Sequence, residues 1–190
     1  MRIAVAALLG AIVVFVWQFI AHMVLPIGMM GFRMPQNEDV VLQAVTTGLP
    51  TSGIYLLPSM DPAKWGDDAA MKAYGEKASK NPSVFAVVNP PPENPMTMTP
   101  QLIKQFITNF IGALLAAFVL GAAAFTFGAR VIGSLAFGLF GWVMNTVPLW
   151  TWYRFPSDFM VGGLLEQGIG WLLGGVAIAW WLGRSAPARR

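Results

Sequence analysis

The sequence contains no cysteine, which excludes disulfides, thiolate metal sites and a cysteine nucleophile, and leaves the redox compartment undetermined. It contains one histidine, so no cluster of imidazole ligands can form within one chain. Charge is scarce too: 11% of the 190 residues are charged, against about 25% in an average soluble domain. P-loop, dinucleotide-fingerprint, HExxH and GxSxG patterns are all missing, which removes the common signatures of nucleotide binding, zinc hydrolysis and serine hydrolysis. The formal charge of +3 does not form a basic stripe interleaved with aromatics, so a nucleic-acid partner is not expected.

What is abundant is apolar: 56% of the residues. A bilayer core of about 30 Å requires about 20 apolar residues of helix. Four stretches reach that length, at residues 3–25, 102–125, 131–150 and 159–182. Only helix serves there, since lipid offers no partner to an open backbone N–H or C=O. The first stretch starts with Arg2 like a signal peptide, but its apolar run exceeds the 7–15 residues of a signal core, and it reads as an uncleaved anchor. The expected fold is therefore membrane α-helical, with four transmembrane helices and a small α+β extracytoplasmic insertion between helices 1 and 2. The division is 1–26 for the first helix, 27–100 for the insertion, 101–183 for the other three helices and 184–190 for a basic tail.

Arginine placement sets the expected direction. Arg2, Arg130, Arg184, Arg189 and Arg190 fall on one side with no acidic residue among them, whereas Arg33, Lys104 and Arg154 are accompanied by Glu38, Asp39, Asp158 and Glu166. The positive-inside rule then puts both termini in the cytoplasm of a bacterium, with the chain in its inner membrane and the insertion outside. Trp142, Trp150, Trp152, Tyr153 and Phe155 gather at the outer end, and Trp180 and Trp181 at the inner end, as interfacial anchors do. The alternative for the outer cluster, Trp150 and Trp152 above all, is a face for a partner or pigment.

Within the insertion, Val40, Val41, Ala44 and Val45 recur at helical spacing behind an N-cap at Asn37. Ser52–Pro58 and Val84–Val88 read as strands bounded by prolines, and residues 64–80 as partly helical. Pro90–Pro95 reads as a stiff linker back to the membrane. So small a domain buries too little surface to stand alone and is expected to lean on the helices or on another protein, with Ile54, Tyr55, Trp65 and Phe85 as anchors.

Few residues invite chemistry. His22 could ligate a haem or a chlorophyll-type magnesium through a neutral imidazole, but a lone ligand favours a hydrogen-bonded interfacial histidine, and no cofactor is expected. Glu166 and Gln167 lie inside the fourth span, where Arg154 or Lys104 is the expected partner of Glu166. A proton relay would want a second acid or base inside a span, and no other acidic residue lies in one. Gln18 adds a polar position to the first span. Asn145 and Pro148 mark a kink in the third, with the Asn amide free to bond across helices. Small residues suit close helix packing: Gly163, Gly170 and Gly174 on the fourth span, Ser134 and Gly138 on the third, Gly112 and Ala116 on the second.

The order of features resembles a family of uncharacterised small bacterial membrane proteins. The resemblance is carried by Ala21-His22-Met23-Val24-Leu25-Pro26, by Ser52–Tyr55, by the Pro148–Pro156 corner and by Gly170–Gly175. These are packing and interface residues, and the resemblance implies no activity. The function that fits is a non-catalytic accessory subunit of a larger inner-membrane complex, of an energy-transducing kind, respiratory or photosynthetic, with the bilayer and other integral membrane subunits as partners. The alternative is a small homo-oligomeric transporter or channel, whose polar path would need Gln18, Asn145, Glu166 and Gln167. An enzyme acting on lipid lacks the acid/base pair it would need.

Overall fold

The computed structural model describes residues 1–92 and 94–184, so Glu93 and the expected basic tail beyond Arg184 lie outside the described residues. Seven α-helices occur in chain order among these residues: α1 Arg2–Met23, α2 Glu38–Gly48, α3 Asp68–Lys80, α4 Thr99–Gly121, α5 Phe127–Gly141, α6 Val147–Tyr153 and α7 Ser157–Arg184. Two strands, β1 Gly53–Leu57 and β2 Val84–Val88, complete the set. The chain divides into two compact units: residues 33–95, and the rest.

The larger unit is built on four helices long and apolar enough to cross a membrane: α1, α4, the run Phe127–Tyr153 and α7. The second expected span stops short of Phe125. The chain leaves α4 at Gly121, and Thr126 caps α5 by accepting the Ala129 N–H on its hydroxyl at 3.2 Å. The third span is continuous to Tyr153 through one π-type turn at Trp142–Thr146. That turn precedes Pro148, which has no N–H to give, and it closes with the Val147 N–H on the Trp142 carbonyl.

The first and last helices, α1 and α7, run antiparallel and form the central pair; α4 lies along α1 and α5 along α7. The pairing rests on alternation of size. A Cβ on Gly10 would meet Ile178 at 2.7 Å, one on Gly174 would meet Val14 at 2.7 Å, and one on Gly170 would meet Trp17 at 2.9 Å. Each large side chain thus enters a notch on the facing helix, which is how helices associate in lipid, where apolar burial gives no advantage. Around this seam Ala6, Ala7, Ala11, Ala113, Ala116, Ala117, Leu120, Ile178 and Leu182 form the core. Trp171 of α7 crosses the interior between glycines of two other helices: Gly112 of α4 lies against its ring edge, and Gly138 of α5 against its Cβ and Cδ1. On the α5 side, Ser134 Oγ donates to the Trp171 carbonyl at 2.8 Å.

The smaller unit is an antiparallel ribbon, with Tyr55 opposite Ala86 and Leu57 opposite Val84, accompanied by α2 and α3. Asn37 Oδ1 caps α2 at the Val40 N–H, as the sequence leads one to expect, and Asp67 caps α3 at Ala70. None of α2, α3, β1 and β2 contains a buried residue. Its boundary falls at Arg33 and not at residue 27, because the intervening segment packs with the long helices.

Candidate functional site

Polar side chains inside an apolar bundle need partners, and here they find them at the end where α1 finishes and α7 begins. Gln18 of α1 faces two residues spaced four apart on α4, hence on one side of that helix. Its Oε1 accepts from Asn109 Nδ2 at 2.7 Å and from Gln105 Nε2 at 3.3 Å, and Gln105 Nε2 also reaches Asn109 Oδ1 at 3.0 Å. Asn109 is 6% exposed, so its donor and acceptor are satisfied by this amide cluster and not by water.

On the other side of α1, Trp17 and His22 address α7. Trp17 Nε1–H donates to the Glu166 carbonyl at 3.0 Å, and His22 Nε2 lies 3.2 Å from Glu166 Oε2. With an ionised carboxylate, which only accepts, this contact requires the Nε2–H form of the ring. The side chains are 47% and 21% exposed, which places the pair at the rim of the bundle. This corrects the expected partner of Glu166, which is His22 and neither Arg154 nor Lys104. Arg154 is instead used for its backbone, which adopts φ 59° and ψ 34° to end α6.

Glycines bring the chain back over this pair. After α1, a short 3-10 turn at Pro26–Met29 folds toward the start of α7. Gly28 lies against the His22 ring at Nδ1, where any Cβ would collide. Gly162 of α7 leaves room for the Ile27 carbonyl and Met30, and Gly31, at φ +88°, lies against Phe159. With Nε2 on Glu166 and Nδ1 against Gly28, a haem or chlorophyll metal would have to displace one of the two to reach a ring nitrogen.

The remaining expected site residues are dispersed. Gln167 Oε1 accepts from Trp171 Nε1 at 3.2 Å. Asn145 does not bond across helices as expected; it is exposed, and its Nδ2 donates to the Gly141 carbonyl of its own run at 2.9 Å. A Cβ on Gly163 would lie 3.4 Å from Thr146 and 3.5 Å from Trp142, whose Nε1–H donates to the Met160 carbonyl. Trp150 and Trp152 are exposed, as are Ile54 and Trp65 of the smaller unit; Tyr55 and Phe85 are half-buried, the Tyr55 hydroxyl donating to the Thr51 carbonyl at 2.7 Å. Reading the sequence missed Gln105, Asn109 and the role of Gly28. The i, i+4 amides inside an apolar run were the visible signal for the first two.

Chemically the arrangement is a set of satisfied pairs: three neutral amides and one carboxylate–imidazole contact. Among the described residues no three of His, Asp and Glu converge as metal ligands would. No family model, no curated protein and no solved structure matches the chain.

Proposed function

We propose that the chain is a non-catalytic accessory subunit of a larger complex in the bacterial inner membrane, with both termini cytoplasmic and residues 33–95 on the outer side. One observation carries this reading: the smaller unit has only a thin interior of its own. Its four elements hold no buried residue, while Val40, Leu42, Ile54, Val87 and Trp65, the last 70% exposed, present apolar side chains. Ordering backbone costs roughly 1–2 kcal/mol per residue, and a unit whose best-covered side chains, Tyr55 and Phe85 among them, are only half-buried offsets little of that cost. Burial against another subunit supplies what is missing, and exposed Trp and Ile are the residue types that anchor such contacts. The polar pairs in the larger unit are spent on one another, which favours assembly over chemistry. A homo-oligomeric transporter would need a polar path, whereas Asn145 and Gln167 are turned to Gly141 and Trp171.

The test is purification from the native membrane in mild detergent. Different integral membrane proteins should co-purify in a fixed ratio, with energy-transducing complexes the first to look for. The paired change Ile54→Ser with Trp65→Ser should release them while the chain stays in the membrane. A species containing only this chain, unaffected by that change, would overturn the proposal.

A further inference from the structure

At the opposite end of the larger unit, two arginines cover the carbonyl ends of two helices. Arg2 Nη2 donates to the Leu182 carbonyl at 2.6 Å, near the end of α7. Arg130 Nε donates to the Leu120 carbonyl at 3.2 Å, at the end of α4. Both leucines belong to the same core cluster, and a Cβ on Gly121 would lie 2.7 Å from Ile3 and 3.7 Å from Leu182, so these helix ends converge. Because Leu120 and Leu182 meet in that cluster, the guanidiniums held on their carbonyls are neighbours.

Capping a helix C-terminus is a sufficient reason for one arginine at each carbonyl. It does not account for the donors left over. A guanidinium has five N–H groups in a fixed fork, and each of these spends only one nitrogen on a carbonyl. Arg2 Nε is buried with no acceptor among the described residues, and Arg130 is 7% exposed. Neither arginine is ion-paired among the described residues, and the carboxylate inside α7, Glu166, is engaged by His22. Glu166 stands 16 residues before Leu182 on α7, about 24 Å along the axis. Two neighbouring cations, one of them enclosed, call for an anion with several acceptor oxygens. Phosphate matches the guanidinium fork in shape and charge. The surroundings suit a phosphate carried on acyl chains. Arg184 lies over the Trp180 ring at 4.9 Å, an arrangement typical of headgroup depth, while Phe118, Val119, Phe127 and Ile132 are exposed apolar side chains near the same helix ends.

We infer that Arg2 and Arg130 together bind a phosphate group at this end of the helices, supplied in a bilayer by the headgroup of an anionic phospholipid. The inference rests on reading the four long helices as membrane spans and needs no partner subunit. Its test uses the full chain, recovered from the membrane fraction and delipidated in a neutral detergent. Phosphatidylglycerol, phosphatidylcholine and inorganic phosphate are added separately, and bound species and melting temperature are read by native mass spectrometry and thermal unfolding. Phosphatidylglycerol should be retained and raise the melting temperature, and phosphatidylcholine should do neither. Arg2→Gln and Arg130→Gln should each weaken retention about tenfold or more, the scale of losing a hydrogen bond to a charged group. Arg184→Gln, at the same end but outside the pair, should hold the lipid as the parent does. Should Arg130→Gln fail to fold, Arg2→Gln decides the matter. A matching shift with inorganic phosphate, lost in Arg2→Gln, would support the site and assign its occupant to free phosphate. Equal retention in the parent and Arg2→Gln, or equal loss in Arg184→Gln, would overturn the site. A chain absent from the membrane fraction would refute the membrane reading before any lipid is added.

Discussion

A single methyl group is a sensitive probe of the α1–α7 seam. At Gly170 it would press on Trp17, whereas at Gly183, on the same helix, it would meet nothing within 4 Å. Gly170→Leu should therefore cost about 1–3 kcal/mol in unfolding free energy. Gly183→Leu should stay within about 0.5 kcal/mol, both measured by thermal or denaturant unfolding in detergent. The small-residue stripe was readable in the sequence, but the residues it receives were not. Spacing places Gly170 and Gly174 on one face without saying which helix turns Trp17 and Val14 toward them. The amide cluster makes a second case. Gln18→Ala and Asn109→Ala, combined in a double-mutant cycle, should show a coupling of about 0.5–1.5 kcal/mol, in the range of hydrogen bonds between membrane helices. Additive effects would mean that the 2.7 Å contact contributes nothing. Glu166 was visible as a charge inside a span, yet its partner was misassigned. His22 stands far away in sequence, and only the packing of the first helix on the last brings the two together.

The long helices were recognisable because bilayer thickness dictates length and composition, and each is found within a few residues of its expected place. Their arrangement was not. α1 is apolar almost all round, so no face announces its neighbour. The interruption in the third span was signalled by Pro148, but neither the π-type turn ahead of it nor the Trp142 bond to the Met160 carbonyl was. The end of α6 offers a prediction at this scale. Arg154 is the one non-glycine residue with positive φ among those described, and the Phe155 N–H closes the turn on the Leu149 carbonyl. A side chain in this region costs roughly 1–2 kcal/mol that glycine avoids. Arg154→Gly should raise the melting temperature and Arg154→Val should lower it. The reverse order would mean that the Arg154 side chain, and not its backbone, holds the corner.

For the molecule as a whole, the smaller unit should fail to fold by itself. Residues 33–95 expressed in soluble form are expected to exchange their amide hydrogens as fast as an unfolded chain, because no element of the unit contains a buried residue. Strong protection in isolation would remove the case for an obligatory partner. The arginine distribution makes a separate prediction: a reporter fused after Arg190 is active only in the cytoplasm, and one inserted at Gly66 only outside. The opposite pattern would invert every assignment of sides. The central pairing of α1 with α7 also has a consequence in time. A ribosome makes α1 well before α7, with every other described helix in between, so the two halves of the seam arise at different times. While α7 is still unmade, Gln18 has Gln105 and Asn109 within its reach on α4, but Trp17 and Val14 have no glycine notch to enter, and His22 waits without its carboxylate. A nascent chain halted before Ser157 would hold three of the four long helices with one side of α1 unfilled, and α7 is what closes it.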